Sequence, residues 1–208
     1  MSLLSKISSN TRKPEGFWGR MMVNGMNSGS HAALASWGLD FADVPSDGDI
    51  LDIGCGGGAN LKRLMKRSVN GKVTGVDYST VSVDKSKKFN ADAIAKGRCK
   101  VLEANVSSLP FKENTFALVS AFETVYFWPD IEKSFDEVRR VLTSGGKFLI
   151  VNEDDGLSGN NDKWEKIIDG MHTYTPEKLK THLTAAGFRN IAIHHDETKH
   201  WLAVTADK

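Results

Sequence analysis

The sequence predicts an α/β fold: a Rossmann-like, doubly wound, mostly parallel seven-stranded sheet with helices on both faces and a C-terminal antiparallel hairpin. Three observations predict it. Short β-branched runs alternate with longer amphipathic ones, a buried run opens straight onto a glycine loop and a helix, and the last two apolar runs leave no room for a crossover helix between them.

Taken in order, a helix through Leu34, Trp37 and Leu39 packs on the sheet, and the first strand runs over 50–53. Leu61, Leu64, Met65 and Ser68 follow i, i+3, i+4, i+7, which leaves Lys62, Arg63, Lys66 and Arg67 as a solvated face. Strands at 73–76 and 100–103 flank one helix over 81–96, and a strand at 116–121 follows. Asp130 caps a helix whose stripe is Ile131, Phe135, Val138 and Leu142, and Gly145-Gly146 end it before a strand at 147–152. Thr175-Pro176 opens the last helix, with Leu179, Leu183 and Ala186 inward and Gly187 closing it. Runs at 191–193 and 201–205 then pair as the hairpin.

The 208 residues fit one domain, divided into an N-terminal helical cap (1–48), a core (49–153), a lid-like insertion (154–174) and the last helix with the hairpin (175–208). Lysine plus arginine exceed the acids by 27 − 26 = 1, so no global field holds a phosphate backbone or an anionic membrane. Neither a nucleic-acid partner nor membrane insertion is therefore expected. The stretch 1–15 is too polar for a signal-peptide core, and no later run reaches the roughly 20 apolar residues of a membrane span, which points to the cytoplasm. Cys55 and Cys99 form neither a CxxC pair nor a metal-ligand spacing, so no disulfide or metal site is expected.

The segment Ile50-Leu51-Asp52-Ile53-Gly54-Cys55-Gly56-Gly57-Gly58-Ala59-Asn60-Leu61 carries the most chemistry. Glycine lets a backbone turn tightly and approach a ligand, and the following helix start offers unpaired N–H groups. The second strand ends in Val76-Asp77-Tyr78, where an acid accepts from both hydroxyls of a ribose. An adenosine-containing ligand fits both features. The glycine pattern alone is equally that of a dinucleotide oxidoreductase.

Four ordered segments go further: 52–58, 73–79, Asn105-Val106-Ser107-Ser108-Leu109-Pro110-Phe111, and Arg140-Val141-Leu142-Thr143-Ser144-Gly145-Gly146. Over residues 49–153 the chain resembles the class I S-adenosylmethionine-dependent methyltransferases, in detail the small-molecule branch of the ubiquinone and menaquinone biosynthesis C-methyltransferases. The resemblance implies that Asp52 and Gly54 sit against the methionine amino group, and that Cys55 and Gly56 pass beneath the ligand. It also implies that Asp77 holds the ribose and Tyr78 lies along the adenine. Asn105 replaces the family's usual Asp toward the adenine amine, Val106 offers its N–H to the ring, and Phe122 with Glu123 and Thr124 lines the methionine side.

Methyl transfer from a sulfonium needs near-attack geometry in a dry site, and a base only where the acceptor must lose a proton. No Asn/Asp-Pro-Pro-Tyr motif and no Pro-Cys nucleophile is present. The leading expectation is a small, mostly apolar or aromatic acceptor. The alternatives are a protein or RNA substrate, an NAD-dependent oxidoreductase, and a relative that binds the cofactor without transferring the methyl. His31, His172 and Tyr126 are the catalytic candidates. His31 reads also as a surface or helix-capping histidine, and Tyr126 and Trp128 equally as core. Phe17, Trp18, Met21 and Met22 suit an adaptable pocket wall, and the insertion that carries Trp164, Met171 and His172 is expected to cover the site as a lid. His194, His195 and His200 read as surface residues of the hairpin.

Overall fold

A computed structural model describes residues 29–157, 159, 165, 166, 168 and 170–208. The segment 17–28, expected to wall the acceptor pocket, and Trp164 of the expected lid lie outside the described residues. The elements are α1 (Gly29–Leu39), β1 (Ile50–Ile53), α2 (Ala59–Arg67), β2 (Val73–Asp77), α3 (Thr80–Phe89), α4 (Ala91–Ala95), β3 (Cys99–Glu103), β4 (Phe116–Phe122), a 3-10 turn (Val125–Phe127), α5 (Ile131–Val141), β5 (Leu142–Asn152), α6 (Pro176–Ala185), β6 (Arg189–Asp196) and β7 (Trp201–Asp207).

These strands form one seven-stranded sheet in the order β3-β2-β1-β4-β5-β7-β6. Every pairing from β3 to β5 is parallel, and β7 runs antiparallel between β5 and β6. The expected class and hairpin are the observed ones. Along β5, alternate residues enter two cores. Phe148 and Ile150 join α5, α6, Trp128 and Phe188, whereas Leu149 and Val151 join α1, α2 and Leu118. Burial on both faces explains why these strands read as unbroken apolar runs.

Three helix starts are capped by a side chain, two of them, at Asp130 and Thr175, as the sequence predicts. Ser79, Asp130 and Thr175 each accept from the backbone N–H three residues on. On α1, Leu34 and Leu39 are buried as expected, and Gly38 lets the helix meet the sheet closely, since a Cβ there would lie 2.4 Å from Val151 Cγ2. The basic face of α2 is only partly solvated. Arg67 bonds Leu39 O and Asp40 Oδ1 (2.7 Å), and Lys62 lies 4.0 Å above the Phe89 ring.

Two expectations are corrected. The helix over 81–96 is broken at Asn90, whose side-chain amide donates to Gly58 O (3.1 Å) and Ser86 O (3.0 Å), tying the break to the glycine loop. Gly145 and Gly146 do not end α5. The helix stops at Val141, Leu142 pairs at once with Phe116, and the next pair is Lys147 with Leu118, so the residues between loop out of the strand. Gly145 has φ +74 in that bulge, a conformation L side chains rarely adopt.

Candidate active site

The strand order reverses direction between β1 and β4, and a crevice opens there at the carboxyl ends of the strands. It holds a cavity of about 290 Å³. Each wall comes from a different exit: Gly54 to Gly57 after β1, Asp77 and Tyr78 after β2, Ala104 to Val106 after β3, Glu123 and Thr124 after β4, and His31 with Leu34 from α1.

Backbone groups build the floor. Gly54 and Cys55 donate to Val76 O (2.8 and 3.0 Å), and Gly58, with φ +81, closes the turn onto Cys55 O. A Cβ on Gly58 would lie 2.4 Å from both Asn90 Nδ2 and Ser86 Oγ, and one on Gly54 2.3 Å from Thr124 Oγ1. Gly56 differs, because a Cβ there would meet nothing nearer than Gly54 O at 4.0 Å. Its face is open to the cavity, as a ligand cradle requires.

Asp77 caps this floor. Its carboxylate accepts from the N–H groups of Gly56 (2.9 Å) and Ser79 (2.9 Å), locking the tip of β2 to the glycine loop. Burial raises its pKa against the pull of those N–H groups and that of Tyr78. Asp52 lies behind, 1% exposed and outside the cavity lining, where it accepts from Ser120 Oγ at 2.7 Å. Burial, opposed by the Ser120 bond and supplemented by the Asp77 charge, raises its pKa to about 7. The Cys55 side chain is buried toward Ser86 Oγ (3.8 Å) and Gly75, so its backbone faces the cavity and its thiol is pushed up by burial.

At the β3 exit, Asn105 Oδ1 accepts from Ser107 N (2.9 Å), which shapes the loop beside Val106. α5 pins that loop from behind, with Glu137 accepting from Leu109 N and Arg140 donating to the carbonyls of Phe111 and Leu109. Gly54, Cys55, Gly56, Asp77, Tyr78, Asn105, Val106, Phe122 and His31 are thus brought together around one cavity.

The opposite end is acidic and aromatic. Glu123 has φ 58, a left-handed backbone costing about 1–3 kcal/mol in a non-glycine residue. The Glu153 N–H donates to its Oε1. Burial, then the neighbouring Glu153 charge, pushes the Glu123 carboxyl well above its usual range. His31 Nδ1 stands 3.9 Å from Glu153 Oε2, and one donor atom from each of His31, Glu123 and Glu153 falls within 4.8 Å of the others. Phe127 and Trp128 complete this wall, and Asn60 and Arg63 of α2 close the side toward α1.

Two of the three catalytic candidates stand elsewhere. Tyr126 is buried outside the lining, its hydroxyl bonded to the backbone N–H (3.1 Å) and carbonyl (3.5 Å) of Asp154. His172 is exposed, with its backbone N–H donated to Tyr126 O (2.8 Å), and is also absent from the lining. The hairpin histidines are not plain surface groups either. His195 and His200 both bond buried Asp155, and His194 stacks on Phe41 at 3.9 Å between ring centroids. Arg63, Asn60 and Phe127 were not singled out for the site in the sequence, because nothing in a helix repeat or an aromatic run says which face meets a cavity.

Comparison with known proteins adds the following. Residues 51–150 match the family described as "Methyltransferase domain". Over 101 residues the chain is 34% identical to cycloartenol-C-24-methyltransferase 1 of Oryza sativa subsp. japonica, covering 49% of this chain and 29% of that protein. The chain thus spans under a third of that relative's length. The putative methyltransferase of Haloferax volcanii, solved in complex with the Trm112 methyltransferase activator, superposes with a TM-score of 0.82 at 18% identity over 90% of this chain and 93% of its own. Geranyl diphosphate methyltransferase, solved with GPP and sinefungin, gives 0.67 at 16% identity over 85% and 77%. At these identities the two structures speak to the fold alone.

Proposed function

We propose that this chain, whose residues 51–150 match the methyltransferase-domain family and whose sheet runs β3-β2-β1-β4-β5-β7-β6, transfers a methyl group from S-adenosylmethionine to a small, mostly apolar acceptor. One observation carries this reading: the Asp77 carboxylate, locked onto an open Gly56 at the switch point of the sheet. Bound there, S-adenosylmethionine supplies an electrophilic methyl group on a sulfonium.

The chain's own residues do the rest. Asp77 accepts from the ribose hydroxyls with the lone pairs that Gly56 and Ser79 leave free. Asn105 and the Val106 N–H meet the adenine edge, and Tyr78 covers it. Asp52 acts from behind, holding β1 to β4 through Ser120 beneath the turn that carries Gly54. Phe122, Phe127 and Trp128 exclude water from the end where the acceptor lies. Where the acceptor carries a proton that must leave, Glu123 is the group placed to take it, with His31 beside it. This assignment moves the base from Tyr126 and His172 to the strained carboxylate on the cavity wall.

For the acceptor, support comes from the apolar and aromatic residues of the lining and from the relative named for cycloartenol. The matched relative being a sterol C-methyltransferase, we favour a lipophilic acceptor over the narrower quinone-precursor class. Among the described residues no helix is long and apolar enough to cross a membrane. Two free, buried thiols accord with a cytoplasmic setting.

Melting with S-adenosylhomocysteine and with NAD tests the cofactor. At a hundredfold its Kd the right ligand adds about 2.7 kcal/mol, and stabilisation by NAD alone would overturn the reading. On an acceptor panel of lipophilic alcohols and alkenes, Glu123→Gln is expected to lower kcat by roughly a hundredfold for a proton-losing acceptor while leaving S-adenosylhomocysteine affinity unchanged. The wild-type rate then falls as pH drops through the raised Glu123 pKa, since the ionised form is the active one.

A further inference from the structure

The three residues that leave β5 are each anchored to a different part of the chain. Glu153 donates its N–H to Glu123 and sets its carboxylate beside His31. Asp154 is gripped at both backbone groups by the Tyr126 hydroxyl. Asp155, 1% exposed, accepts from Leu157 N–H (2.8 Å) at Oδ1, and from His195 Nε2 (2.6 Å) and His200 Nδ1 (3.0 Å) at Oδ2. One imidazole comes from β6 and the other from the turn that leads into β7, 40 and 45 residues away, and His200 has φ 57 to reach its place.

Burying a carboxylate is costly, and an apolar residue of similar volume often serves stability as well or better. Two rings converging on one buried oxygen, one of them from a strained backbone, fix a position far more firmly than a loop root needs. What they fix lies two residues from Glu153, whose N–H bonds Glu123 on the cavity wall.

We propose that Asp155, His195 and His200 are a positioning unit for the acceptor end of the cleft. Held at Asp155 by the hairpin and at Asp154 by Tyr126, the exit of β5 keeps Glu153 against Glu123. The histidines thereby set the geometry of the acid pair without touching substrate. Although burial alone would raise it, the Leu157 N–H and the two imidazoles hold Asp155 below its usual range, which keeps it an acceptor for both rings. The catalytic meaning of the unit rests on the methyl-transfer reading above, whereas its geometry does not.

The test follows Glu123 directly, by ¹³C NMR titration of the glutamate-labelled full chain, with the Glu123 signal assigned by its loss in Glu123→Gln. The groups facing Glu123 are Glu153 and Asp154 from the β5 exit, Tyr126 from the 3-10 turn and His31 from α1. In His195→Ala/His200→Ala, Glu153 leaves its place and the Glu123 midpoint falls, because the like charge that recedes outweighs the N–H bond lost with it. His195→Gln/His200→Asn keeps a donor nitrogen near each original site and is expected to restore the wild-type midpoint. Asp155→Asn, which keeps size and one acceptor oxygen, shifts the midpoint partway and guards against a double variant that does not fold. An unchanged midpoint in the alanine and asparagine variants overturns the proposal, as does an equal shift in the Gln/Asn variant. If wild type gains no melting temperature from S-adenosylhomocysteine, the methyl-transfer reading falls while the titration result stands.

Discussion

The two ends of the cleft are built in opposite ways. The glycine end is made mostly of backbone groups from neighbouring exits, held by a few side-chain ties such as Asp77 to Gly56 across 21 residues and Asn90 to Gly58 across 32. The acidic end is made of side chains drawn from α1, β4, β5 and the terminal hairpin, with ties spanning 30 to 45 residues. A floor of backbone amides has one shape and suits a ligand that never varies. A wall of carboxylates and rings is altered by single substitutions, which suits the half of the site that chooses the acceptor.

Four substitutions probe that contrast. The largest effect is expected behind the glycine end, at Asp52. Its folded pKa of about 7 lies above the unfolded value, so the folded state binds more protons and stability falls as pH rises from about 4 to 7. Asp52→Asn, which keeps the Ser120 contact, removes that slope. Urea melts should show wild type and variant alike near pH 4 and the variant more stable by up to ~4 kcal/mol at pH 8. A wild-type curve flat across that window would deny the buried acid its cost.

Next is Gly58→Ala. A Cβ at φ +81, 2.4 Å from Asn90 and Ser86, is expected to cost about 3 kcal/mol in the same melts and to weaken S-adenosylhomocysteine binding with it. Asp77→Asn should leave the fold near wild type but raise the S-adenosylhomocysteine dissociation constant roughly 10- to 100-fold by calorimetry, as charge-assisted bonds become neutral ones. A loss of kcat without a loss of affinity would contradict the assignment of this end to cofactor binding. The smallest effect belongs to the far side. Phe41→Ala loses the stack on His194 and the edge contact with Trp37 (5.1 Å), about 1 kcal/mol, with no change in cofactor affinity.

The same contrast decides what the sequence discloses. The parallel strands, the glycine loop, Asp77 and the capped starts of α5 and α6 were legible because period, turn chemistry and capping are local. The break at Asn90 was not, since its cause is the carbonyl of Gly58, 32 residues earlier. The bulge at Gly145 was mistaken for a helix end because double glycine serves either purpose, and only the partner strand, through Phe116 and Leu118, distinguishes them. His195 and His200 sit in a polar stretch that looks solvated until Asp155 arrives from a distant strand. His172 and Tyr126 show the converse: side chains with suitable chemistry near the right exits that the fold turns away from the cavity.

β7 has a consequence for the order of assembly. It follows the other six strands of the sheet in the chain, yet it lies between β5 and β6, pairing with β5 from Lys147 to Asn152, and Lys208 N then donates to Gly146 O. During translation β5 therefore leaves the ribosome with one long apolar edge open, and β6 has nowhere to dock until residues 201–207 follow. The nascent chain passes through a stage that invites edge-to-edge association, and the hairpin's closure, more than the formation of the cofactor floor, marks the point at which it becomes safe from aggregation.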